Sequence, residues 1–81
     1  MYRIDIKTDE VALLFGVSSN TARRYLRTIR HSLKKSKNHV VTIAEFCLFY
    51  DISHKEVFCQ INKIKGQEYD KLVEEGIIVV T

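Results

Sequence analysis

The sequence has no proline and no tryptophan, only three glycines (Gly16, Gly66 and Gly76) and only two cysteines. So few backbone breakers exclude a loop-rich or collagen-like chain and favour helices joined by short turns. Two cysteines cannot form the framework of a disulfide scaffold. Cys47 and Cys59 both sit within apolar helical patterns, which reads as reduced core residues. No apolar run approaches the roughly 20 residues of a membrane span, so no membrane partner is expected. The opening MYRIDIKTDE is charged and lacks the apolar centre of a signal peptide, so the expected location is cytoplasmic. Gly-rich phosphate loops and Ser–His–acid or Cys–His spacings are missing as well. An enzyme is therefore not expected, and no cofactor is implied. His31, His39 and His54 with the two cysteines match no closed zinc spacing, so no metal is expected either.

What is present is a chain of 81 residues, 46% of them hydrophobic and 28% charged, enough for one compact core and too structured in pattern for disorder. Its charge is segregated. Residues 1–40 hold nine Lys/Arg against three Asp/Glu, a balance of +6, whereas residues 41–81 hold four against seven, a balance of −3. The stretch 23–37 carries Arg23, Arg24, Arg27, Arg30, Lys34, Lys35 and Lys37 with no acid. A half that is basic by itself suits a polyanion.

The pattern of elements comes from periodicity. YRIDI, residues 2–6, reads as a short strand. Thr8 is the expected N-cap of a helix over about 9–15, with Asp9 and Glu10 in its first turn and Gly16 as its stop. Ser18 or Ser19 caps a second helix that is expected to run to about Lys35, with Ala22, Leu26, Ile29 and Leu33 on its apolar stripe. Residues 36–39 form a turn, and Val40 and Val41 are candidates for a short strand. Thr42 with Glu45 and Ser53 with Glu56 have capping-box spacing. They open helices whose inner residues are Ile43, Phe46, Cys47 and Tyr50, then Val57, Phe58, Ile61 and Ile64. A last helix, QEYDKLVEE, turns Tyr69, Leu72 and Val73 inward. IIVVT comes after it as a terminal strand, expected to pair with YRIDI and hide both edges. The expected fold is mainly α: a single domain, 1–81, of four to five helices with a minor sheet from the N- and C-terminal strands. Within it lie a helix-turn-helix unit at 8–35, a second hairpin at 42–65, and a C-terminal helix and strand at 67–81. The two hairpins echo each other at a spacing of 35 residues, either as a duplication or as the common grammar of helical hairpins.

Residues 8–30, TDEVALLFGVSSNTARRYLRTIR, carry the functional signal. A helix-turn-helix needs a small residue at the crossing, a Gly in the turn and spaced apolar residues to fix the angle. Ala12 and Gly16 supply the first two; Phe15, Val17, Ala22 and either Tyr25 or Leu26 supply the clamp. Ser19, Asn20, Arg23, Arg24 and Arg27 then lie on the exposed N-terminal half of the second helix, where this motif reads bases in the major groove. Arg can pair bidentately with guanine and Asn with adenine. Arg30, Lys34, Lys35 and Lys37 lie further along and suit phosphate, as do Ser18 and Thr21 at the helix start. Tyr25, Tyr50 and Tyr69 read as core or boundary residues. Leu48 and Phe49 fall off the inner stripe of their helix and are either core residues or an apolar patch for a partner.

GVSSNTARRY, residues 16–25, resembles the Gly-Val-Ser-x-x-Thr-x-Arg-x-Tyr signature of MerR-type and excisionase-type winged helix-turn-helix domains. The resemblance covers about residues 8–30. It implies that Ser18, Thr21, Arg23 and Tyr25 sit at or near the DNA backbone and groove. KSKNHVV, which has no Gly, occupies the place of the wing. The function expected is sequence-specific binding of duplex DNA by a small transcription regulator or an excisionase-like architectural factor of a mobile element. A homodimer or cooperative array is expected on DNA, because a single half-site reader is weak. The competing class is a protein–protein adaptor that uses the basic helix and the acidic C-terminal half.

Overall fold

The computed structural model describes residues 2–35 and 39–78. Among them the order is β1 (Asp5–Ile6), α1 (Thr8–Phe15), α2 (Ser19–Ser32), β2 (Val41–Thr42), α3 (Ile43–Tyr50), α4 (His54–Asn62) and α5 (Gly66–Glu74). The fold is mainly helical with one small antiparallel sheet.

Each helix begins and ends for a local reason. α1 starts one residue earlier than the expected Thr8 cap. Lys7 is the N-cap, and Glu10 reaches back to accept from its amide at 2.8 Å, so a threonine hydroxyl is not needed there. Gly16 takes a left-handed conformation (φ 63°) that only glycine adopts without strain, and Val17 N–H closes the turn on the Ala12 carbonyl. Ser18 caps α2 by accepting from Thr21 N–H at 3.3 Å. α2 stops at Ser32, short of the expected Lys35. Lys34 is left-handed (φ 57°), Lys34 N–H bonds the His31 carbonyl and Lys35 N–H bonds the Arg30 carbonyl. This Schellman closure satisfies the Arg30 and His31 carbonyls, and Leu33, expected on the core stripe, is exposed. At α3 both halves of the Thr42–Glu45 capping box form, at 3.0 and 2.9 Å. At α4 only the Ser53 half forms, Ser53 Oγ accepting from Glu56 N–H.

The echo at 35 residues is geometric. Thr8 and Ile43 open helices of equal length, Gly16 and Asp51 end them in left-handed conformation, and Ser18 and Ser53 cap the second helix of each pair. Asp51 can stand where Gly16 does because a short polar side chain tolerates this conformation better than most.

The sheet corrects one expectation. Among the described residues β1 pairs with β2 (Asp5 opposite Thr42, Ile6 opposite Val41), and not with Ile77 or Ile78. Ile43 N–H also donates to the Ile4 carbonyl at 2.7 Å, which ties the start of α3 to the first strand. Ile77 and Ile78 instead fold back on α5, both amides bonding the Leu72 carbonyl, with Ile78 buried and Ile77 exposed. Residues 79–81 of the expected strand lie outside the described residues.

The core is centred on Phe46, Leu26, Ile29, Ile43, Val11 and Val41, all fully buried. Phe15, Tyr25, Phe46 and Tyr50 meet as an aromatic cluster, with Phe15–Tyr25 and Tyr25–Tyr50 edge to face at 5.1 and 5.4 Å. The Tyr50 hydroxyl donates to the Tyr25 carbonyl at 3.4 Å. Leu26 and Tyr25 thus share the clamp, Leu26 within the core and Tyr25 at its boundary. This cluster fixes α2 against α1 and α3 and leaves its opposite side bare. Val73 is partly exposed at the rim of α5, whereas Tyr69 and Leu72 are buried as expected.

Candidate nucleic-acid interface

With Ala22, Leu26 and Ile29 fully buried, the residues on the other side of α2 must face solvent. Ser19, Asn20, Arg23, Arg24, Arg27, His31 and Lys34 are all exposed. A shallow depression of about 440 Å³ runs along this side, and the described residues lining it are basic or an imidazole: Arg23, Arg27, Arg30, His31 and Lys35. At 1.5 Å per residue the basic stripe from Arg23 to Lys34 is roughly 16 Å long. An exposed helix face of this length and single sign can enter or lie along a polyanion.

The charges on α2 are not equivalent. Arg23 Nη1–H donates to Asn20 Oδ1 at 3.0 Å, a bond between neighbouring turns of the helix. Arg30 Nε–H donates to the His39 carbonyl at 3.1 Å and so holds the chain that returns toward β2. Lys35 folds back further: its Nζ donates to the Val40 carbonyl at 3.2 Å and forms an ion pair with Glu45 at 2.7 Å. Of the residues expected at phosphate, Lys35 is therefore committed to α3, and Arg30 has one donor engaged. Among the described residues Arg24, Arg27 and Lys34 have no hydrogen-bonding or ion-pair partner for their side chains. Ser18 and Thr21 serve each other at the helix start, Ser18 Oγ–H donating to Thr21 Oγ1 at 3.1 Å. Lys37 lies outside the described residues, as do two neighbours in KSKNHVV.

Glu45 stands at the inner edge of this region. Burial raises its pKa, but the Lys35 ammonium and the Thr42 amide and hydroxyl together outweigh burial and hold the carboxyl below its ordinary range. The cap of α3 and the end of α2 thereby share one carboxylate. His31 lines the same depression although the recognition-helix pattern did not include it. It falls one turn beyond Arg27 on the same stripe, and helical spacing alone is enough to place it there.

The echoing helix α4 offers no such face. Asn62 stitches it to the N-terminal segment, accepting from Arg3 N–H at 2.6 Å and donating to the Arg3 carbonyl at 3.1 Å. Tyr2 packs on Phe58 and donates to Glu68 at 3.0 Å. On its other side His54 meets the Tyr69 hydroxyl of α5 at 2.7 Å, and Lys55 pairs with Asp70. α4 is covered where α2 is bare.

No protein family, curated protein or solved structure matches this chain.

Two further features bear on chemistry. The Cys47 thiol is buried and pushed up to about 11 by desolvation, which makes it a poor nucleophile. Among the described residues, no three His, Cys, Asp or Glu side chains are grouped so as to hold a metal, and no helix is long and apolar enough to cross a membrane.

Proposed function

We propose that this chain binds duplex DNA by laying the N-terminal half of α2 in the major groove. The observation that carries this reading is the depression lined by Arg23, Arg27, Arg30, His31 and Lys35 on the uncovered side of α2, the second helix of a pair joined through the turn at Gly16. In this reading Ser19, Asn20, Arg23, Arg24 and Arg27 line the surface that enters the groove, while Arg30 and Lys34 meet phosphate. The likeness of GVSSNTARRY to MerR-type and excisionase-type domains supports the same assignment and fits a small transcription regulator or an excisionase-like architectural factor in the cytoplasm. A protein of this size reading one half-site would act as a homodimer or in a cooperative array.

The test is fluorescence anisotropy of a labelled mixed-sequence duplex of about 25 base pairs, at about 50 and 200 mM salt. Wild type is expected to bind at the lower salt and to weaken steeply at the higher. Arg23→Ala/Arg27→Ala is expected to bind at least about tenfold more weakly, since two groove-facing guanidiniums are removed. Absence of binding by wild type at low salt would falsify the assignment and turn attention to a protein partner.

A further inference from the structure

Asn20 and Arg23 are joined. The guanidinium donates through Nη1 to the amide oxygen at 3.0 Å, one turn apart, with both residues exposed near the start of α2. This single bond changes what each can recognise. A side-chain amide reads adenine by donating to N7 while its oxygen accepts from N6. The Asn20 oxygen is instead turned along the helix toward its own neighbour. Arg23 is held at one corner of its planar fork, and the rest of that fork has no partner among the described residues. A pair of parallel donors fits guanine O6 and N7 and no other base edge so well. Holding a long side chain before binding also lowers the entropy lost on docking.

We propose that α2 selects guanine through Arg23, and that Asn20 is the positioning residue for that arginine, not a reader of adenine. The inference rests on the reading that α2 enters the major groove. It also separates Arg23 from Arg24 and Arg27, which have no such support and contact whatever base or phosphate lies within reach.

The test is selection from a random-sequence duplex library, followed by anisotropy on the selected duplex and on a copy with 7-deazaguanine at the preferred guanine. Wild type is expected to select a guanine and to lose about tenfold or more in affinity when N7 is removed, as a bidentate arginine–guanine pair requires. Arg23→Ala should bind the two duplexes alike. Asn20→Asp keeps an acceptor for Arg23 but cannot donate to adenine N7. It is expected to preserve the ratio between the two duplexes even if its overall affinity falls. Asn20→Ala is expected to shrink that ratio severalfold. A selected adenine whose preference is lost in both Asn20→Ala and Asn20→Asp would overturn the proposal and make Asn20 a base reader. Salt-sensitive binding with no guanine preference dependent on Arg23 would overturn it as well, while leaving DNA binding by α2 intact. Absence of binding to any duplex would remove both.

Discussion

Lys35 and Lys34 are adjacent in sequence and carry the same charge, yet the fold gives them different work. Lys34 is exposed, in left-handed conformation at the close of α2, and Lys35 is bonded to Glu45 and the Val40 carbonyl. Glu45 simultaneously accepts from the Thr42 amide, so its removal opens a cap and strands a lysine. Glu45→Ala is expected to cost about 1 kcal/mol in urea unfolding, the scale of a helix cap with a partly buried ion pair. Because the folded carboxyl is held below its ordinary range, the stability it contributes is complete above that range. It drains away as pH falls below about 4.3 toward the folded value. Urea midpoints measured across that window should fall more steeply in wild type than in Glu45→Gln. The pairing itself could not be read from the sequence, because residues ten apart on different elements have no fixed spacing.

Elements were legible where periodicity and caps agreed. The stripe of α2 as far as Ile29, that of α3, the stop at Gly16 and the Thr42–Glu45 box are local properties of a short stretch of chain, and the structure has them. Leu48 and Phe49 of α3 were ambiguous because periodicity gives the direction each takes from its helix, not whether another element covers it. Leu48 is 83% exposed, whereas Phe49, 40% exposed, lays its ring against Tyr50 at 4.9 Å. Phe46→Ala is therefore expected to cost about 3–5 kcal/mol, whereas Leu48→Ala should change stability by no more than about 0.5 kcal/mol. Thermal or urea unfolding of the two variants checks both. Between α4 and α5 the contact is a titratable one. Burial pushes the His54 imidazole below its ordinary value, and its ring nitrogen lies 2.7 Å from the Tyr69 hydroxyl. As pH falls through about 6.5 the unfolded chain takes up this proton before the folded one does, so stability present above that pH is lost below it. His54→Gln should flatten this part of the stability profile, measured by urea midpoints between about pH 7 and 5.

On the scale of the molecule, the basic first half and acidic second half become two surfaces of one core. The β1–β2 pairing and the aromatic cluster join them. If α2 meets DNA as proposed, its counterion release is set by the cations that remain outward. Lys34→Ala is expected to reduce the magnitude of the slope of log K against log salt by about one, and Lys35→Ala to leave it unchanged. Equal slopes for the two variants would show that the Glu45 pair opens on binding. The helical class, the turn at Gly16, the Thr42–Glu45 box and the basic character of α2 were already settled by the order of the residues. Each of these depends on residues within a few positions of one another, through backbone conformation, hydrogen-bond reach and the helical repeat. Folding in three dimensions was needed to join β1 to β2, to cover α4 while leaving α2 bare, and to pair some cations and not others. Those outcomes depend on which distant segments meet, and that is set by how the whole core packs.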